Sequence, residues 1–252
     1  PEVGFTASST MVREAFQGEH PKDILAIIPY LAFQYAVRHN LYGISWTGDF
    51  EQLLKEAWDD RYNRGGFFKW DLARTRRRRV GRYWVQFHPD FVNGVTETHP
   101  IAESVFQEFD PTKFNFNNLP DEERLFDFWT RRKVVAVDLD SGPVAQHHSL
   151  ILYEPSAMHE QFLIPEALKI ALELTGFDDG SLVDVAMQFV EFLQQKNVPH
   201  NLIISKNGKT LKLGFNSWGA WATVNHLHIQ HYYYPEGAFP IEGAERKELS
   251  QL

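Results

Sequence analysis

Cysteine is absent from all 252 residues. That excludes disulfides, thiolate nucleophiles and cysteine-based zinc or iron–sulfur centres, and it fits a reducing compartment, so a cytoplasmic protein is expected. No uncharged apolar run reaches the ~18 residues a membrane span needs. The nearest, Ile24 to Val37, is short and carries Gln34. No Lys/Arg-led apolar leader with a small-residue cleavage site opens the chain. It starts on Pro1, and the numbering is read as beginning inside a longer protein. Positive charge is also in deficit. A formal net charge of -8 argues against nucleic acid as a bulk partner, because duplex binding works through a basic surface that releases counterions. The one basic block, Arg74-Thr75-Arg76-Arg77-Arg78-Arg79, reads as a solvated hairpin tip, with phosphate binding or nuclear import as the sharper alternatives. Internal repeats and low-complexity linkers are missing too.

What is present suits a packed domain: 43% of residues are hydrophobic and 14% aromatic. Lys22 to Arg38 is densely apolar, and Pro29 breaks any continuous helix there. Phe50 to Arg64 places Leu53, Leu54, Ala57 and Trp58 at helical spacing, and Gly65-Gly66 ends the helix. Phe67 to Leu72 and Tyr83 to Phe87 read as strands on either side of the arginine run. Val134 to Val137 and Ser149 to Tyr153 read as strands around the Asp140-Ser141-Gly142-Pro143 turn. Pro165 to Leu174 and Ser181 to Gln195 read as helices. Leu202 to Ser205 and Thr210 to Phe215 form a hairpin about Asn207-Gly208. Thr223 to Tyr233 completes the set as a strand. Hairpin-connected strands with interspersed helices predict an α+β fold on an antiparallel sheet.

Chemistry concentrates in Asn216 to Gln230. On a strand, alternation puts His226, His228 and Gln230 on one face and Leu227 and Ile229 on the other. Neighbours in the polar row then lie ~6.5–7 Å apart. A neutral imidazole is a competent nucleophile near pH 7, and attack on phosphorus splits one difficult displacement into two easier ones. Gln230 donates to a phosphate oxygen without adding an ionisable group, and the loop with Asn216, Ser217 and Gly219 supplies further donors. Two other readings fit the spacing. His226 and His228 could ligate a metal with His148 or His231, or both could be satisfied core or surface groups.

The stretch Gly214 to His231 resembles the histidine-triad superfamily in its transferase branch, where glutamine stands third. Leu213 to Gln230, then Tyr232-Tyr233 and Phe239 to Glu242, narrow the resemblance to the GDP-hexose phosphorylases, which Trp58 to Gly65, Lys113-Phe114-Asn115-Phe116 and Pro143 to Leu152 with His148 also resemble. The resemblance implies a single histidine-triad-like catalytic domain over 1–252, an antiparallel sheet with flanking helices, with 1–49 as an N-terminal extension. It implies phosphorolysis of a GDP-sugar by inorganic phosphate, through a guanylyl group carried on His228. His226 would polarise the site, and Gln230 would hold the phosphate oxygens. Asn216, Ser217 and Thr223 would line the phosphates. Asp140, eight residues before His148, would contact the ribose. Arg61 is either a salt-bridge partner of Asp59 or Asp60 or a phosphate or sugar contact, and Phe114 and Phe116 either wall the guanine or are core residues. No metal and no cofactor is expected, and a homodimer by sheet extension is expected by analogy. His147 and His231 stand where the family pattern has small residues and are read as able to reshape the sugar pocket. Alternative functions are another histidine-triad nucleotidyltransferase, a dinucleoside-polyphosphate phosphorylase, or a non-catalytic nucleotide-binding protein.

Overall fold

The computed structural model describes residues 50–81, 83–91, 104–129, 134–152, 155–160, 164–174, 180–205 and 211–234, with isolated positions before residue 50. The apolar stretch of Lys22 to Arg38, most of the expected extension, the Asn207-Gly208 corner and Phe239 to Glu242 lie outside the described residues. Helix α1 (Phe50–Arg64) buries Phe50, Leu53, Leu54 and Trp58, the stripe its spacing predicts. Gly65 and Gly66 end it at φ +71° and +86°, a left-handed conformation that glycine adopts without a Cβ clash.

Six strands form one antiparallel sheet: β3 (Arg124–Trp129), β4 (Val134–Leu139), β5 (Ser149–Leu152), β6 (Asn201–Ser205), β7 (Leu211–Asn216) and β8 (His228–Tyr233). Their spatial order is β3-β4-β5-β8-β7-β6, so the last strand in sequence lies inside the sheet. The α+β expectation is met. Between β5 and β6 run α2 (Ile164–Leu174) and α3 (Gly180–Gln195).

Register divides the sheet into two faces. Val137 pairs with Ile151, Ile151 with Ile229, and Leu213 with His231. These side chains face α1, α2 and α3, and with Phe50, Leu54, Trp58, Ile164, Leu168 and Val190 they form the main core. The opposite face carries Asp138 beside Leu150, Leu150 beside Gln230, and Gln230 beside Gly214. A smaller apolar cluster of Phe116, Leu150 and Leu152 sits there. One face therefore holds the fold together, and the other is polar enough for chemistry.

Three expected elements differ. Phe67 to Leu72 is not a strand. Phe67 and Phe68 pack on α1, with Phe68 5.0 Å from the Trp58 ring, and the backbone bonds elsewhere through Lys69 N–H to Ser141 O at 2.8 Å. Asp71 then caps a short 3-10 turn over Leu72–Arg74. The arginine run is not a hairpin tip but a strand: β1 (Arg76–Val80) pairs with β2 (Tyr83–Phe87), and the turn falls at Gly81 with φ +60°. This two-stranded ribbon is exposed along both strands, so charge costs it nothing. Thr223 to Leu227 precedes β8 as loop, because β5 is only four residues long and its ladder with β8 begins at Leu152–His228. The groups upstream bond to loops instead: Leu227 N–H donates to Ser156 O at 2.9 Å.

His231 lies on the packed face, edge-on to Phe50 at 6.4 Å and Tyr233 at 5.3 Å, with no solvent exposure. Burial pushes its pKa down from 6.5 to about 4. The unfolded chain therefore takes up this proton first. The stabilising contribution is intact above pH 6.5 and declines as pH falls toward about 4. At about pH 5 the expected loss is about 2 kcal/mol. His231→Leu should remove that decline, which chemical denaturation of parent and variant at about pH 7.5 and about pH 5 measures. An equal acid loss in both proteins would rule the assignment out.

Candidate active site

His228 opens β8 on the polar face, 6% exposed. Its Nδ1 lies 2.6 Å from the carbonyl oxygen of His226. A carbonyl only accepts, so Nδ1 carries the proton and the lone pair of the neutral ring is on Nε2. Nε2 is the ring nitrogen that this bond leaves out. Burial is the main cause that lowers the His228 pKa, opposed by the bond to the His226 carbonyl and by the charge of Asp140. The ring is thus neutral near pH 7 and holds its lone pair ready. A backbone carbonyl two residues upstream sets the tautomer, so no carboxylate is needed for that purpose.

His226 reaches the same side by a different route from the predicted alternation. It is in the loop before β8, and its Nδ1 accepts the Phe116 N–H at 3.1 Å. Its own proton is then on Nε2. The Phe116 ring lies 5.5 Å from the His226 ring and 4.9 Å, edge-on, from the His228 ring, and Phe109 approaches His226 at 6.0 Å. Two residues beyond His228, Gln230 stands on the same face and donates to Asn216 Oδ1 at 3.4 Å, while Asn216 Nδ2 donates to Ala220 O at 2.9 Å. Opposite Gln230 is Gly214, where a Cβ would meet the Tyr232 hydroxyl at 3.2 Å and the Gln230 Cβ at 3.6 Å. Glycine there lets the Tyr232 ring lie across β7 without displacing the glutamine.

Asp140 and His148 close the group on the β5 side. His148 Nδ1 accepts the Val144 N–H at 3.2 Å, which places the ring proton on Nε2, 3.5 Å from Asp140 Oδ2 without a hydrogen bond between them. The Trp58 indole of α1 donates to the His148 carbonyl at 3.1 Å, which fixes this corner to the core helix. The carboxylate and imidazole picked out eight residues apart are neighbours, and the Asp140 charge acts on His228.

Other expected residues are not brought in. Ser217 is buried, its hydroxyl accepting from the His200 N–H at 2.9 Å and donating to Trp218 O at 3.2 Å, so it is committed to closing the loop after β7. Thr223 is exposed in the loop before β8. Arg61 donates to Glu122 O at 2.9 Å, Arg124 O at 3.3 Å and Asp60 Oδ2 at 2.7 Å. These contacts hold α1 to the β3 edge, three strands or ~14 Å from β8. Phe114, 56% exposed, stands edge-on to Phe116 at 6.3 Å and so borders the site from outside. His147 and His231 do not reshape a pocket on this face. His147 pairs with Asp59 at 3.1 Å and sits edge-on to Trp58, and the inward aim of His231 removes it as a third metal ligand. A separate cavity of about 680 Å³, walled by Trp58, Tyr62, Tyr233 and Arg77, borders Tyr233 on the far side of β8 from His228. Sequence reasoning gave no role to Phe109 or Asn225. Nothing local marks them, since their contacts join segments from 67 to 118 residues apart.

These features define an antiparallel α+β domain with a His-x-His-x-Gln segment whose middle imidazole is neutral and fixed in one tautomer. The GDPGP1-like N-terminal domain model matches residues 49–177, just over half of the chain, and the chain belongs to that family. It is 28% identical over 215 residues to GDP-L-galactose phosphorylase 1 of Arabidopsis thaliana, covering 79% of this chain and 43% of the relative. To GDP-D-glucose phosphorylase 1 of Bos taurus it is 29% identical over 210 residues, covering 79% and 47%. The chain thus spans about half the length of the curated relatives it matches. Among solved structures, yeast Ap4A phosphorylase Apa2 in complex with AMP aligns over 74% of this chain and 49% of that one, at 14% identity and a TM-score of 0.36.

Proposed function

We propose that this domain carries the guanylyl-transfer chemistry of a GDP-hexose phosphorylase, with His228 as nucleophile. The observation that carries this reading is the 2.6 Å bond from His228 Nδ1 to the His226 carbonyl, which leaves Nε2 as the only ring nitrogen with a lone pair. The names of the family relatives supply the substrate class.

In the first step the Nε2 lone pair attacks the α-phosphorus of GDP-hexose. The bond from that phosphorus to the bridging oxygen breaks, and hexose 1-phosphate leaves with the electron pair. In the second step an oxygen of inorganic phosphate attacks the same phosphorus. The N–P bond breaks, and GDP leaves with the imidazole restored. Gln230 is placed to donate to the oxygens of the transferred phosphorus, with Asn216 holding its carboxamide. Asp140 is proposed to take the ribose hydroxyls, with His148 orienting its carboxylate. Phe116, with Phe114 beside it, is proposed to wall the guanine. A cytoplasmic setting is proposed from the absence of cysteine. A sheet-extended homodimer would join at an edge strand, β3 or β6.

Incubation with GDP-hexose without phosphate should leave a guanylyl adduct that mass spectrometry maps to His228, and added phosphate should discharge it as GDP. An adduct on another residue, or none from any nucleotide sugar, would end this reading.

A further inference from the structure

Residues 104–118 form a strap without regular strand or α-helix that ends against the two imidazoles. It is pinned at three places. At its start, the Ser104 hydroxyl and Val105 N–H donate to Asn197 Oδ1 at 3.1 and 2.9 Å. At its end, the Phe116 N–H donates to His226 Nδ1. Between them, Asn225 Nδ2 donates to the Gln107 and Glu108 carbonyls at 2.7 and 3.1 Å. The other end of the same carboxamide, Oδ1, accepts the Met158 N–H at 2.9 Å. Asn225 therefore ties the strap and the 155–160 loop to the residue immediately before His226.

We propose that Asn225 is a positioning residue, which clamps the strap over the histidines and so holds Phe109 and Phe116 as the aromatic wall of the nucleotide site. The proposal rests on the reading of this face as a nucleotide site, with His228 as the guanylyl acceptor. The chemistry of the clamp demands an amide. Two carbonyls must be met by donors and one N–H by an acceptor, from one planar group on a short stem. Aspartate has the shape but no donor, and it would set a negative charge against two carbonyl oxygens.

The wall touches bound nucleotide in ground and transition states alike, so its loss weakens binding without slowing the chemical step. The full chain, Asn225→Asp and the milder Asn225→Ser are compared in two measurements. Hydrogen exchange of backbone amides, without ligand, is expected to quicken by about tenfold across residues 105–118 in Asn225→Asp, with the six-stranded sheet unchanged. Titration with GMP is expected to show affinity weaker by about tenfold, and KM for GDP-hexose should rise by a similar factor with kcat within about threefold. Asn225→Ser, which keeps one donor and one acceptor, should fall between parent and Asn225→Asp, and it decides the matter if Asn225→Asp does not fold. Unchanged strap exchange, or faster strap exchange with parental GMP affinity, would overturn the proposal. So would a fall in kcat with binding intact. If the parent binds GMP but does not turn over GDP-hexose, the phosphorylase reading fails while exchange and GMP titration still decide the clamp.

Discussion

His228→Asn is expected to lose on the order of 10⁴-fold or more in kcat/KM, while GMP affinity stays within about threefold. The asymmetry follows from the ring's two nitrogens. Nδ1 makes a structural bond to the His226 carbonyl, which the asparagine Nδ2–H can replace. Nε2 makes no such bond and would be the atom that forms the covalent intermediate, and nothing in asparagine substitutes for it. Nearby groups cannot take over. His226 turns Nδ1 to the Phe116 amide, and His148 turns Nδ1 to the Val144 amide. His226→Asn should be milder, about 10²-fold, because the side chain lost there positions rather than attacks. Steady-state kinetics with single-turnover adduct formation separates the two: His228→Asn should form no adduct, and His226→Asn should form it slowly. Turnover by His228→Asn near the parental rate would place the nucleophile elsewhere.

How much of this was legible in the sequence depends on how local each constraint is. Helix α1 could be read because Phe50, Leu53, Leu54 and Trp58 are close enough in sequence to declare a face. The pairing of Asp140 with His148 was legible only through family spacing, and the structure joins them through the β4–β5 turn. The strand expected from Thr223 was overextended. Alternating residues state which faces a strand would have, but not where its partner stops, and β5 stops after four residues. The arginine run was misplaced for a related reason. Charge suggested a tip, whereas a two-stranded ribbon wet on both faces accepts charge along its length. The strap was beyond reach: the bond from Phe116 to His226 spans 110 residues, and no periodicity encodes it. Ser217 shows the converse. Its residue type suits a phosphate donor, but a hydroxyl's partner is decided by the nearest unsatisfied group, here the His200 N–H.

Replacing Arg124 by methionine is expected to destabilise the fold by about 3 kcal/mol near pH 8, the largest stability effect foreseen for this face. Asp138 lies wholly buried on β4, with Arg124 Nε 2.5 Å from its carboxylate. Burial raises the Asp138 pKa to about 6 even with the guanidinium pulling it down. Without Arg124 an ionised carboxylate would stay buried and uncompensated. The effect is set at the low end of the ~3–5 kcal/mol range because a third of the Arg124 side chain reaches water. The direction with pH follows from the raised folded value. The contribution of Asp138 is fully present below its unfolded pKa of 3.8 and is lost as pH rises through about 6. The deficit of Arg124→Met should therefore shrink at about pH 5, where Asp138 takes up a proton. Arg124→Met with Asp138→Leu should come within about 1 kcal/mol of the parent, since neither charge is left to desolvate. Urea denaturation of the three proteins at both pH values tests this. A deficit that ignores pH and persists in the double variant would mean that Arg124 acts through Asp127, 2.9 Å away, or through its packing. The pair also matters to the site. Asp138 stands two residues before Asp140 and beside Leu150, which pairs directly with Gln230. A buried ion pair at the β3–β4 edge thus anchors the end of the strand that delivers Asp140 toward His228.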